Sequence, residues 1–333
     1  MVEQTRRWRW GVNRWLILLF IILGFFAAQA YPPILPHVQL PAEVLSEQPL
    51  VTLPGIGPLY LTNTLVALLI VDVLLILMAI GIRRATSGGR LMLGGVGGAV
   101  EALLEALYNL TESTAGKWAR TIFPWMATIV LLVLLANWLE LIPGVDSIGL
   151  LHHSDEGYQL ETLTTVGGTE VQTIVTGDDA GHVEDGYTLV PFVRVPATDL
   201  NFTLGLALIS VIMTQVIGIR ALGASYFSKF FNVSTLFSKP LFGAIDFGVG
   251  LLEVISEFSK VLSFAFRLFG NIFAGSVLLF VIGTLVPVFA QTLVLMLEFF
   301  VGMIQAIIFG MLTMVFMSQA VAGHGHGPEE AAH

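Results

Sequence analysis

The chain has 333 residues, 55% of them hydrophobic and 12% charged, and its mean hydropathy is positive. Soluble domains carry about 25% charged residues, so composition alone excludes an ordinary globular enzyme and indicates a polytopic membrane protein. The formal net charge of −9 comes mostly from one loop and says nothing about nucleic acid; the absence of cysteine excludes disulfides, thiolate nucleophiles and cysteine-ligated metals.

Residues 1–14 are basic (Arg6, Arg7, Arg9, Arg14), with tryptophans between them. The apolar run from Trp15 to Ala30 is short for a span, which needs about 20 residues. It ends in Ala28-Gln29-Ala30, so residues 1–30 read either as a cleaved signal peptide or as an extra N-terminal transmembrane helix. Residues 31–58 are proline-rich and read as an extended extracytoplasmic linker. Leu59 to Ile82 has the length and apolarity of a transmembrane helix, stopped by Arg83 and Arg84. It contains Asp72, an intramembrane acid expected to bond a hydroxyl on a neighbouring helix. Val96 to Leu110 reads as an amphipathic helix on the cytoplasmic surface. Ile122 to Leu141 spans back, so residues 59–144 hold the first two core helices.

Residues 145–196 change character: nine acids stand against one base, Arg194. Tyr158 to Val166 and Glu170 to Thr176 alternate as strands do, with Gly167-Gly168 between them, and predict a small β-hairpin outside the membrane. His152, His153 and His182 read as solvated residues of an acidic loop, and no metal site is expected there. Asn201 to Ile219 spans inward and ends at Arg220. Residues 220–245 carry Lys229 and Lys239 and read as a turn or short helix. Two long apolar stretches follow, 244–285 and 288–321, broken at Pro287. A 40-residue helix is about 60 Å long, twice the hydrocarbon thickness of about 30 Å. An upright helix of that length leaves the bilayer, whereas a strongly tilted helical hairpin, 244–321, fits within it. The tail with His324 and His326 reads as flexible. The expected fold is thus all-α, with about five core transmembrane helices. Residues 197–333 are expected to form an ion-translocating part, because their apolar stretches enclose Glu253, Lys260, Arg267 and Glu298.

Of the fifteen Lys and Arg residues, four precede residue 15, five lie in 83–120 and three in 220–239. Positive-inside places those segments in the cytoplasm and the acidic loop outside. The hairpin starts and finishes inside, which makes the C-terminus cytoplasmic.

Two bases, Lys260 and Arg267, lie within the hairpin. Arg267 has no acidic residue within nine positions on either side. A charge near the bilayer centre costs roughly 3 kcal/mol or more, so it persists only beside water or a partner. Snorkelling is disfavoured, because apolar sequence continues for about 15 residues beyond it. Ser263, Arg267 and Asn271 repeat at i, i+4, i+8 and share one helix face. The nearest acid of this segment, Glu257, is about 15 Å away along the axis, so the counter-ion is expected from another subunit. Glu253 lies nearly four turns before Arg267, on roughly the same side. Glu257 and Lys260 are an i, i+3 pair. Ser276 falls on the opposite face, and Glu298 and Gln305 share a face of the last helix. Titratable and hydrogen-bonding groups thus stand on both sides of Arg267. A fixed guanidinium between two such half-wires repels a hydronium and prevents a short circuit.

Arg267-Leu-Phe-Gly-Asn271, followed by Ala274-Gly275, resembles the signature of subunit a of F-type ATP synthases. Ala136-Asn-Trp-Leu-Glu-Leu-Ile-Pro-Gly144, Pro196-Ala-Thr-Asp-Leu-Asn201, Gly223-Ala-Ser-Tyr-Phe227 and Gln305-Ala-Ile-Ile-Phe309 agree with that family in order. The resemblance runs from about residue 60 to 320. It implies a stator in a bacterial plasma (inner) membrane. Its partners would be a ring of c subunits, the peripheral-stalk b subunits, the rest of the synthase and membrane lipid. No cofactor is implied. In that family Arg267 would keep a passing c-ring carboxylate ionised. Glu298, Gln305, Asn271 and Asp199 would serve the outer half-channel for protons, and Glu253, Glu257 and Ser263 the inner one. Many relatives carry Glu or His where this chain has Ser276, which leaves Ser276 a water-bonding role at most. A self-contained channel or secondary transporter is the alternative, but it would show inverted repeats or paired broken helices, and the sequence has neither. No nucleotide motif is present, so the chain hydrolyses nothing by itself.

Overall fold

In hydrocarbon every backbone amide must be paired within its own segment, so long apolar runs become helices. The computed structural model describes residues 10–30, 41–46, 48–55, 57–87, 94–142, 144–166, 169–175, 183–230, 240–285 and 289–322. Outside the described residues lie Arg6, Arg7, Arg9 and Arg90, linker residues 31–40, Gly167-Gly168, His182, Lys239, Pro287 and the tail with His324 and His326. The helices among the described residues are α1 (Trp10–Ala30), α2 (Asn63–Ser87), α3 (Val96–Ala115), α4 (Ala119–Trp138), α5 (Leu200–Leu222), α6 (Pro240–Leu285) and α7 (Phe289–Val321). Five helical stretches are long and apolar enough to cross a membrane: Asn63–Ser87, Val96–Leu141, Leu200–Leu222, Phe247–Leu285 and Ala290–Val321. They bear out the all-α polytopic class. α2 runs on past Arg83 and Arg84, with Thr86 and Ser87 hydroxyls bonded back to carbonyls of its last turns.

The stretch Val96–Leu141 is not one rod. Thr111 Oγ1 lies 3.6 Å from Met126 Sδ, and the Tyr108 and Phe123 rings meet edge-on at 5.2 Å. Fifteen residues of straight helix would separate Thr111 from Met126 by about 22 Å. The chain therefore folds back, at Gly116, whose φ of 52° suits glycine. α3 packs against the start of α4 as a helical hairpin, which its surface-helix pattern alone did not disclose.

By internal contacts the chain divides into two units. The first comprises 1–66, 140–194 and 272–301. Among the described residues it holds six strands: β1 (Val51–Leu53), β2 (Gly57–Leu59), β3 (Gly149–Gly157), β4 (Leu160–Val166), β5 (Thr169–Ile174) and β6 (Val183–Pro191), paired antiparallel as β1–β2, β3–β6 and β4–β5. The β4–β5 pair is the hairpin expected from the alternation, with a register shift between Thr162 and Thr164. The β3–β6 pair was not foreseen. It starts with Gly149 opposite Pro191 and ends with Gly157 opposite Val183, and His153 packs edge-on against Tyr187. Nor is the segment before α2 wholly extended: β1–β2 form a hairpin, and Val44 bridges Thr62. Asn63 ties it down, since its Oδ1 accepts from the Glu43 and Thr64 amides at 3.3 and 2.9 Å.

The second unit comprises 67–139, 195–271 and 302–333. α4 buries Ile122, Met126, Val130 and Val133, a stripe at helical spacing. Val130 lies so close to Gly310 of α7 that a Cβ there would overlap it. Asn137 Nδ2 donates to Gly302 O at 3.2 Å. Small residues that let helices approach, joined by a few interhelical hydrogen bonds, are the usual grammar of membrane packing. α5 follows it too: Ser210 Oγ and Thr313 Oγ1 of α7 are 2.7 Å apart. Phe264 of α6 completes the packing against Phe309 and Phe316 of α7, with ring centroids 5.0 and 5.4 Å away.

Candidate functional site

α6 is two-faced around Arg267. Val261, Phe264, Ala265, Leu268 and Ile272 are buried against the chain. Ser263, Arg267, Gly270, Asn271 and Ala274 are exposed. The polar stripe inferred from the i, i+4, i+8 spacing is therefore the face that this chain leaves uncovered. Arg267 Nη2 donates to Ser263 Oγ at 3.4 Å, a long contact, and Arg267 forms no ion pair among the described residues. No other hydrogen bond from its five donors is found among the described residues. Gly270 and Ala274 flank it with little bulk.

Glu298 of α7 is the opposite case, 6% exposed. Its carboxylate lies over the backbone of Gly275, where any Cβ would overlap Oε1 and Oε2. Glycine here gives a carboxylate room between two packed helices. Next to it Ser276 is buried, its hydroxyl donating to Ile272 O at 3.1 Å within its own helix. The structure thus joins Glu298 to the turn containing Gly275 and Ser276. Gln305 is half-buried, two turns further along α7.

Asp199 is buried and caps α5, with Oδ1 accepting from the Asn201 amide at 2.9 Å. Glu253 is half-buried on α6. Glu257 is tied to Lys260 Nζ at 2.8 Å and accepts from Gln215 Nε2 at 3.0 Å. Among the described residues no group of three or more His, Asp or Glu side chains is arranged to hold a metal. Sequence reasoning passed over Gly275, Gln215 and Tyr226. Gln215 carried a signal, a long amide among the apolar residues of α5; Gly275 and Tyr226 lay inside quoted motifs without a role.

A family model described as ATP synthase A chain matches residues 64–318. Two curated relatives are each named ATP synthase subunit a. That of Geotalea uraniireducens (strain Rf4) is 24% identical over 199 residues, 60% of this chain and 61% of its own length. That of Geotalea daltonii (strain DSM 22248 / JCM 15807 / FRC-32) is 24% identical over 183 residues, 55% of this chain and 56% of its own. The matched region spans somewhat over half the length of these relatives. The family match, residues 64–318, contains nearly all of α2, all of α4, α5 and α6, most of α7, and every candidate residue above: the chain belongs to the ATP synthase A chain family.

Proposed function

We propose that the chain is the membrane stator, subunit a, of a rotary F-type ATP synthase, and that it offers two offset proton half-channels to a ring of c subunits. The observation that carries this reading is Arg267, an obligate cation on the uncovered face of α6 with no ion pair among the described residues. Each c subunit would bring one carboxylate past that face. Arginine suits the task, because it stays protonated and presents a planar fork of donors to a passing carboxylate. The low bulk of Gly270 and Ala274 lets a ring helix approach closely.

Glu298, Gln305 and Asn271 are assigned to the outer path. Glu253 and Ser263 line the inner one. Arg267 stands between them, and its charge repels a hydronium that would cross directly, by about 4 kcal/mol at 4 Å and an effective dielectric constant of 20. Each proton then travels almost a full turn with the ring. Ser276, bonded to its own helix, orders water at most. Asp199 is offered to the outer path by the resemblance, and it also caps α5. Glu257 is bound up with Lys260 and Gln215, and we assign it no proton-carrying role. The C-terminus faces the cytoplasm, and the rest of the synthase, including the b subunits, completes the stator.

The test is Arg267→Ala in membrane vesicles carrying the whole complex. Subunit abundance should hold, ATP-driven pumping should stop, and passive proton leak should rise once the catalytic sector is stripped. Arg267→Lys should also uncouple, since an ammonium does not reproduce the fork. An assembled Arg267→Ala complex that still pumps would overturn the reading.

A further inference from the structure

One polar cluster, wholly within the second unit, has no part in the mechanism above. Tyr226, in the 3-10 turn after α5, donates its hydroxyl to Gln215 Oε1 at 2.6 Å. Gln215 Nε2 donates to Glu257 Oε2 at 3.0 Å. Lys260 Nζ donates to Glu257 Oε1 at 2.8 Å and stands 4.7 Å from the centre of the Phe316 ring. The side chains of Glu257 and Lys260 are only 12% and 18% exposed, and Tyr226 is 3% exposed. Gly218 completes the arrangement, because a side chain there would run into the Tyr226 ring and lift the turn off α5. Residues of α5, the following turn, α6 and α7 thus meet on a single ion pair.

Lys260 precedes Arg267 by seven residues, so it lies about 10.5 Å away along the axis and about 20° round the helix. It is therefore a second cation on nearly the same side as Arg267. Unpaired, it would attract the same passing carboxylate. Paired with Glu257, it adds no net charge. The hydrogen bond from Gln215 fixes that pair to α5, and hence fixes the rotation of α6 at this level.

We propose that Tyr226, Gln215, Glu257 and Lys260 form a charge-neutral clamp that orients the Arg267 face of α6 and silences Lys260 as a rival cation. This rests on the stator reading. Glu257 and Lys260 are positioning residues, and neither transfers a proton. The clamp makes the two charges interdependent. Glu257→Gln exposes the lysine charge, Lys260→Met exposes the carboxylate, and the double variant removes both.

The experiment measures subunit abundance and ATP-driven pumping for the two single variants and the double, in vesicles carrying the intact complex. Coupling between contacting charges predicts a loss of more than about fivefold in each single variant. The double variant should return to within about twofold of the parent by the same cycle. If a single variant instead fails to assemble, the same recovery should appear in the abundance of the double. A double variant as impaired as either single overturns the clamp, because a proton-carrying Glu257 would be lost in both. Single variants that pump normally overturn it too. Arg267→Ala runs alongside: if it pumps, the stator reading falls, whereas an inactive Arg267→Ala beside an unrescued double sinks the clamp alone.

Discussion

Gly275→Ala adds one methyl at the point where Glu298 crosses α6. The three atoms nearest to it all belong to the Glu298 carboxylate, which must retreat by about 1 Å or more to restore van der Waals separation. The retreat moves the tip of a flexible side chain, at an off-rotamer cost of about 0.5–1.5 kcal/mol. Against it, alanine gains about 0.5–1 kcal/mol over glycine inside a helix. The two nearly cancel, so the subunit should assemble at normal abundance. Function should not be spared. Displacing a proton-handling group by about 1 Å can cost on the order of a hundredfold in rate, so pumping should fall by roughly tenfold to a hundredfold on the same reasoning. Gly205→Ala in α5, where nothing lies within 4 Å, is the control and should be silent. The assay is ATP-driven acidification in inverted vesicles, with subunit abundance measured in the same samples. Normal pumping in assembled Gly275→Ala would show that the position of Glu298 is immaterial.

Three further outcomes are expected. Glu298→Gln keeps the shape but not the titratable group, and should depress pumping without loss of subunit; undiminished pumping would send the outer path elsewhere. Asp199→Ala should lower stability by about 0.5–2 kcal/mol through the lost cap, read as subunit abundance after mild heating. Asp199→Asn caps equally well and should restore both stability and pumping, and restored stability without pumping would assign Asp199 to proton transfer. In this cysteine-free chain, Thr164→Cys on β4 should react with an impermeant maleimide only from the extracytoplasmic side, and Val96→Cys at the start of α3 only from the cytoplasm. The reverse pattern would invert the topology.

The Arg267 face was legible because a helix repeats its faces every four residues, and one face held Ser263, Arg267 and Asn271 while its neighbours were apolar. The β4–β5 hairpin was legible for a similar reason: Leu160 to Val166 alternates, and its partner follows at once. What escaped depends on pairings that no local pattern encodes. β3 contains His152-His153-Ser154-Asp155-Glu156, which breaks the alternation, and it pairs with β6 across the whole intervening hairpin. The fold-back of α3 on α4 turns on Gly116, one of 34 glycines, whose positive φ no local pattern in the sequence announces. The seat of Glu298 over Gly275 depends on the register between α6 and α7. The contact of Gln215 with Glu257 joins residues 42 positions apart. The capping bond of Asp199 to Asn201 follows from where α5 starts.

The pairing of Gly149 with Pro191 has a consequence for how this family member can vary. Residues opposed across an antiparallel pair lie about 5 Å apart. The chain therefore leaves and rejoins the insert through a single narrow doorway. What hangs beyond that doorway can change length cheaply, since doubling a loop adds only about 0.6 kcal/mol of closure cost. β3 to β6 are therefore expected to behave as a cassette. They can be trimmed to a two-residue turn, lengthened, or replaced by a foreign hairpin carrying an affinity tag, while the separation of the flanking backbone stays as it is.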